Sequence, residues 1–263
     1  MPSMKAKIVK VTTLTSDERV TMFHLLEQYY DAICFVRFEE DLASKDDVIL
    51  LLDGKSEAIK GFSTLKSVKV EKDGKPVYGL FSGDTVVDRD YWGQRVLGKA
   101  FLKYLFMQKA KRPFSPLYWL LISKGYKTYL LLANNFREHY PRYERETPVR
   151  AQSLLDEFAR ALFPKDYNQE TGLIVFAESL GQLKAGIADI PCEASMLNPR
   201  IQYFAERNPT WAQGTELMCI AEMRWSMPLY YGVKSWWKLV GRRRLSKPQA
   251  TLNSPSPVVH REA

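Results

Sequence analysis

A short apolar run, Thr85-Val86-Val87, stops at the polar turn Asp88-Arg89-Asp90-Tyr91-Trp92-Gly93, and a helical pattern takes over near Leu97. A strand that ends in a basic, Gly-containing turn and opens a helix gathers unpaired backbone amides at one point. The helix dipole adds partial positive charge there. Such a point suits a phosphate or pyrophosphate. Gly98 has no side chain to keep an anionic ligand from the backbone. The segment contains neither G-x-G-x-x-G nor a loop ending in G-K-[ST], which excludes the dinucleotide and phosphate-loop cradles. Strand–turn–helix units are common in α/β proteins, so the flanking elements decide what this one does.

Lys7–Leu14 is rich in β-branched residues and reads as a strand. Thr15-Ser16-Asp17-Glu18 opens a helix with small caps and early acids, and Met22, Leu25, Leu26, Tyr29 and Ile33 recur at helical spacing. Asp47–Leu52 is a short apolar strand. Ala58–Val70 and Val77–Val87 alternate on either side of the hairpin signal Lys72-Asp73-Gly74-Lys75. Ser82-Gly83-Asp84 interrupts the second of these strands, and its glycine marks a bulge. The helix from Leu97 carries Phe101, Leu102, Leu105 and Phe106 on one face and ends before Pro113. Leu117–Ile122 is a further strand, and Tyr126–Asn135 a further helix.

The order is strand, helix, three antiparallel strands, helix, strand, helix. With that order, Arg95-Val96-Leu97-Gly98-Lys99-Ala100 resembles the pyrophosphate motif Q/R-x-x-G-x-G/A of the GCN5-related N-acetyltransferase superfamily. The resemblance covers about Lys7 to Tyr143. It implies an α/β (α+β) fold: a mixed, mostly antiparallel central sheet flanked by helices, with two parallel strands splayed at the cofactor site. Those strands would be Thr85–Asp88 and Leu117–Ile122. It implies acetyl-CoA or another acyl-CoA as co-substrate, its pantetheine arm on the backbone of Val86 and Val87. The pyrophosphate would lie on Arg95, Val96, Leu97, Gly98, Lys99 and Ala100, with Lys103 adding charge.

The chemistry so implied is acyl transfer to an amine of a small molecule or protein. It needs a base for the attacking ammonium and an acid for the leaving thiolate. Asp84, in the interrupted central strand, is the expected base. Tyr126 and Tyr129, one turn apart at the start of the helix after Leu117–Ile122, are the expected acids, or else pack the core. The family's ending of this helix is not intact, since no Gly-Phe pair follows Asn134-Asn135. Asp88 and the run Glu39-Glu40-Asp41 are the other candidate bases: Asp88 reads rather as a turn cap, and the acidic run as a solvated loop placed where it could contact an acceptor. His24 reads as packed or half exposed, and His139 as a loop residue next to the site.

At 263 residues with 46% hydrophobic side chains, there is material for one large domain or two small ones. The three cysteines, Cys34, Cys192 and Cys219, are scattered, which argues against a disulfide framework and against a metal site. No G-x-S-x-G elbow is present. No stretch approaches the ~20 apolar residues of a membrane span, and a cytoplasmic chain is expected. The net charge of +8 suits anionic partners. Without a zinc finger, an RNA-recognition aromatic motif or a basic heptad region, nucleic acid is not the expected one.

The expected organisation is an acyl-CoA-binding core over 1–145, a part completing the sheet over 146–245, and a disordered tail over 246–263. The second part contains apolar-periodic helices at Pro148–Phe163 and Asn198–Arg207 and strands at Leu173–Ala177 and Glu216–Met223. Arg224–Arg244 interleaves Trp and Tyr with Lys and Arg. It reads as a packed terminal helix with a basic end, or as a contact for an anionic membrane through 225–244. A non-catalytic acyl-carrier or lipid-surface module on the same fold is therefore the alternative function.

Overall fold

The computed structural model describes residues 3–176, 182–184 and 198–227. The chain divides into two compact units, Met1–Met223 and Arg224–Ala263. Within the described residues of the first unit the strands are β1 (Met4–Lys10), β2 (Tyr30–Asp31), β3 (Asp47–Asp53), β4 (Ile59–Lys72), β5 (Lys75–Val87), β6 (Leu117–Ser123), β7 (His139–Tyr140), β8 (Tyr167–Asn168), β9 (Leu173–Ile174), β10 (Gln182–Leu183) and β11 (Glu216–Glu222). The helices are α1 (Ser16–Glu27), α2 (Phe35–Ala43), α3 (Val96–Lys111), α4 (Tyr126–Asn135), α5 (Val149–Leu162) and α6 (Pro199–Arg207). Of the second unit only Arg224–Met227 is described, so the membrane contact expected over 225–244 and the tail over 246–263 lie almost wholly outside the described residues.

The main sheet runs β1-β3-β4-β5-β6-β11-β9-β8, with β7 also on β11. Every pairing is antiparallel except β5 with β6. The sheet is therefore mixed and mostly antiparallel, with helices against both faces. β11, from the second half of the chain, pairs along β6 from Leu217↔Ser123 to Glu222↔Tyr118 and extends the sheet past the parallel pair.

Side-chain alternation distributes the core. Leu50, Phe62 and Val86, register partners across β3, β4 and β5, pack with Met22, Phe23 and Leu26 of α1 and with Phe38 and Leu42 of α2. Along the sheet, Phe81, Leu120, Met218 and Ile220 pack with Leu154, Leu155 and Phe158 of α5. Elsewhere Trp119 of β6 meets Phe101 of α3 at 4.8 Å, and Tyr129 of α4 meets Phe204 of α6 at 5.8 Å. The central residues of β3, Val48 to Leu51, are fully buried, which is why Asp47–Leu52 reads as a continuous apolar run. Each large side chain so enclosed contributes about 2 kcal/mol.

Local signals set the element ends. Thr15 and Glu18 form a reciprocal capping box at α1: the Thr15 hydroxyl accepts from Glu18 N at 3.2 Å, and the Glu18 carboxylate accepts from Thr15 N at 2.9 Å. The β4–β5 hairpin turns at Asp73 (φ 52°) and Gly74 (φ 69°), the left-handed pair that a two-residue hairpin demands. One expectation is corrected. Glu39-Glu40-Asp41 is not a loop but part of α2, where Glu39 pairs with Arg19 at 3.1 Å. The helix escapes notice because it is short and Cys34, at its N-cap, offers no capping side chain.

Candidate functional site

The site begins with a bulge. Ser63 pairs with Thr85 and Leu65 with Ser82, so Gly83 and Asp84 together face the single residue Thr64. The interrupted run Ser82-Gly83-Asp84 thus forms the expected bulge. Glycine is needed because a Cβ at position 83 would stand 2.6 Å from Thr64 Oγ1.

A bulge bends its strand, and here the bend coincides with the end of the parallel pairing. β5 and β6 pair from Tyr78↔Leu117 to Ser82↔Leu121 and no further, while β5 runs on to Val87 and β6 to Ser123. Beyond Ser82 the outer edge of β5 and the inner edge of β6 have no ladder partner among the described residues. Which polar groups face that gap follows from the antiparallel alternation on the other side of β5. Asp88 N donates to Lys60 O at 2.8 Å. Val86, two residues earlier, therefore turns its amide and carbonyl into the ladder with Phe62, whereas Thr85 and Val87 turn theirs outward. Of the two residues expected to hold a pantetheine arm, Val87 presents backbone groups to the open side and Val86 presents its buried side chain to the core.

After Val87 the turn is fixed by Asp88, whose carboxylate accepts from Asp90 N at 3.1 Å and from Lys60 Nζ at 3.1 Å. α3 follows. Its N-cap, Arg95, makes no side-chain cap. The amides of Val96, Leu97 and Gly98 donate to nothing among the described residues, and Lys99 N is the first to close onto the helix, at Arg95 O, 3.1 Å. Arg95, Gly98 and Lys99 are exposed, and Val96, Leu97 and Ala100 half-buried. The helix carries no acidic residue, and Lys99 and Lys103 form no ion pair among the described residues. A Cβ on Gly98 would meet no atom within 4 Å, so packing does not require glycine there. The open amides, the bare position and the basic side chains fit a diphosphate.

Asp84 lies half-buried at the bulge. Burial lifts its carboxyl to about 6. Asp41 pushes the same way, Lys45 opposes, Glu216 adds and Lys124 opposes. Lys45 Nζ is held by Asp41 Oδ1 at 2.5 Å and Lys124 Nζ by Glu216 at 3.3 Å. Tyr30 stands over the same place: Lys124 Nζ lies 5.4 Å from its ring centroid, and burial, then Asp84 and Glu216, push its phenol up. A carboxyl near 6 at the edge of a gap can take a proton at neutral pH.

The two tyrosines part company. Tyr129 is fully enclosed, its ring against Tyr203 and Phe204 and its hydroxyl donating to Pro141 O at 3.3 Å. Tyr126 is half-buried at the first position of α4, beside the end of β6 where the gap opens. His139 is buried on β7, with Nδ1 on Phe136 O at 2.8 Å.

Sequence reading missed Tyr30, Lys45, Lys124 and Glu216. They come from two strands, β2 and β11, and from the connections after α2 and β6, and share no local pattern; only the sheet order gathers them. It also missed Trp92, whose indole sits on the open edge of β5. Among the described residues no group of His, Cys, Asp and Glu is placed to hold a metal ion, and no helix is long and apolar enough to cross a membrane.

No protein-family model matches the chain. No curated protein matches it either. Among solved structures it is similar to a conserved protein of unknown function from Enterococcus faecalis V583, called a probable N-acyltransferase, at 19% identity and TM-score 0.36 over 49% of this chain and 32% of that one. It therefore spans about a third of that protein's length. It is also similar to glucosamine-6-phosphate N-acetyltransferase from Arabidopsis thaliana (16% identity, TM-score 0.32, 45% of this chain and 81% of that one). A third similar structure is an acetyltransferase from Trypanosoma brucei (18% identity, TM-score 0.35, 56% of this chain and 99% of that one). The described strands form the mixed, mostly antiparallel sheet flanked by helices that the sequence led one to expect, with a parallel pair that parts beside α3.

Proposed function

We propose that the chain is an acyl-CoA-dependent N-acyltransferase, with acetyl-CoA as the default donor and an amine as acceptor. The observation that carries this reading is the parting of β5 from β6 after Ser82, directly before a helix whose first three amides are open. A pantetheine arm completes the interrupted ladder through the outward backbone of Val87. Its diphosphate takes the amides of Val96, Leu97 and Gly98, and Arg95, Lys99 and Lys103 add charge.

At the bulge Asp84 receives a proton from the acceptor's ammonium group. The freed amine nitrogen attacks the thioester carbonyl, forming a C–N bond. The C–S bond then breaks and the thiolate takes a proton from the Tyr126 hydroxyl, the best-placed phenol on α4, while the nitrogen gives up its second proton, which returns to the Tyr126 oxygen through solvent. Tyr129, tied to Pro141, supports the wall behind it.

Titrating acetyl-CoA into the protein tests the donor half of this reading. Binding with release of CoA thiol in the presence of an amine supports it. Neither heat nor thermal shift at millimolar acetyl-CoA removes it.

A further inference from the structure

Three elements bring charge to the mouth of the gap. The α2–β3 junction supplies Lys45, 5.9 Å from the centroid of the Phe81 ring on β5 and held by Asp41. β6 runs out into Lys124. Continuing the β6–β11 register one step past Ser123↔Leu217 sets Lys124 opposite Glu216, with which it pairs. Asp84 stands two residues past the last β5–β6 pair; a Cβ on its neighbour Gly83 would lie 3.0 Å from Lys45 Cε, and both ion pairs act on the Asp84 carboxyl. Each lysine has a carboxylate of its own. Asp84 is the remaining carboxylate, and it has no hydrogen bond or ion pair among the described residues. A second polar group is unspent here: the hydroxyl of Thr64, fully buried against the bulge glycine, has no hydrogen-bond partner among the described residues. Among the described residues the mouth of the gap thus holds one negative charge and one buried acceptor in excess.

A cation with N–H donors balances both, and a second anion does not. We infer that the acceptor is an amine with no carboxylate beside its amino group, such as a diamine or a decarboxylated amino acid, and that α-amino acids are rejected. The inference rests on Asp84 as the proton acceptor of the proposed transfer. An α-carboxylate entering with the amino group faces Asp84, Asp41 and Glu216, with both lysines already paired. Like charges brought together at a partly dry site cost far more than in water. Tyr30, the remaining titratable group facing the cluster among the described residues, is neutral at physiological pH.

The test is calorimetric titration of matched pairs into the full-length protein saturated with CoA: tyramine against tyrosine, agmatine against arginine, putrescine against ornithine. Each amine is expected to bind at least tenfold tighter than its parent amino acid. Glu216→Gln, which removes the carboxylate of the Lys124 ion pair, should narrow that ratio at least threefold, and Lys124→Met should widen it. Equal affinity within the pairs overturns the inference. So does failure of both pair members to bind, or a ratio that neither variant moves while both melt as wild type. Failure of the transfer reading shows elsewhere, as absence of CoA thiol release with a bound amine.

Discussion

The indole Nε1 of Trp92 donates to the carbonyl of Val87 at 2.7 Å. That carbonyl is one of the outward groups on the open edge of β5, so a side chain of the protein holds a position a pantetheine amide would use. Trp92 is 47% exposed, its ring tilted over Tyr29 at 6.2 Å and the Arg89 guanidinium 5.4 Å from its centroid. Trp92→Phe keeps the ring and removes the donor. CoA should bind about fivefold tighter to this variant, since a competing hydrogen bond of about 1 kcal/mol is gone. Calorimetry decides it; unchanged affinity would mean that the Val87 carbonyl is not part of the donor site.

Gly98 separates ligand from fold. Its position in α3 has open space in front of it, so Gly98→Ala should stabilise the free protein by about 0.5–1 kcal/mol through helix propensity. Gly98→Leu should melt no lower than wild type yet lose at least tenfold in CoA affinity. Melting followed by circular dichroism and CoA titration are the two readouts. A Leu variant that binds CoA normally would remove the pyrophosphate site.

Acid stability sets two groups against each other. Asp84 has a folded value, about 6, above its ordinary 3.8. It binds its proton more tightly when folded, so its contribution is present below 3.8 and is lost as pH rises toward 6, by at most about 3 kcal/mol. His139 is the reverse: burial, the largest cause, lowers it from 6.5 to about 4. Its contribution is present above 6.5 and is lost as pH falls toward 4. Asp84→Asn removes the first effect, and its unfolding free energy should fall more steeply than wild type between pH 6 and pH 4 in urea titrations. The same substitution should abolish the rise of kcat/KM with pH near 6, by removing the base. Parallel stability profiles for the two proteins would show that Asp84 titrates at its ordinary value.

The tyrosines give opposite phenotypes. Tyr129→Phe loses the bond to Pro141 O and should cost about 1 kcal/mol of stability with kcat nearly unchanged. Tyr126→Phe should leave the melting temperature alone and lower kcat about 100-fold, the scale of general acid catalysis. A normal kcat for Tyr126→Phe would send the search for the proton donor elsewhere, with Tyr30 next.

Much of the scaffold is written locally. The capping box at Thr15 and Glu18, the left-handed hairpin pair at Asp73 and Gly74, the bulge at Gly83 and the uncapped start of α3 at Arg95 each rest on residues within a few positions of one another. Their backbone preferences act before any tertiary contact forms, so the sequence alone determines them, and with them the strand–turn–helix that opens toward a diphosphate. The surroundings of Asp84 are of another kind. The neighbours Asp41 and Lys45 lie far along the chain from Lys124 and Glu216, and they meet because β11 inserts beside β6 and Lys45, just past α2, reaches Phe81 of β5. Desolvation and the sum of the four surrounding charges depend on distances in space, not on spacing in sequence. The basicity of Asp84 and the enclosure of Tyr129 were therefore settled by the tertiary structure alone.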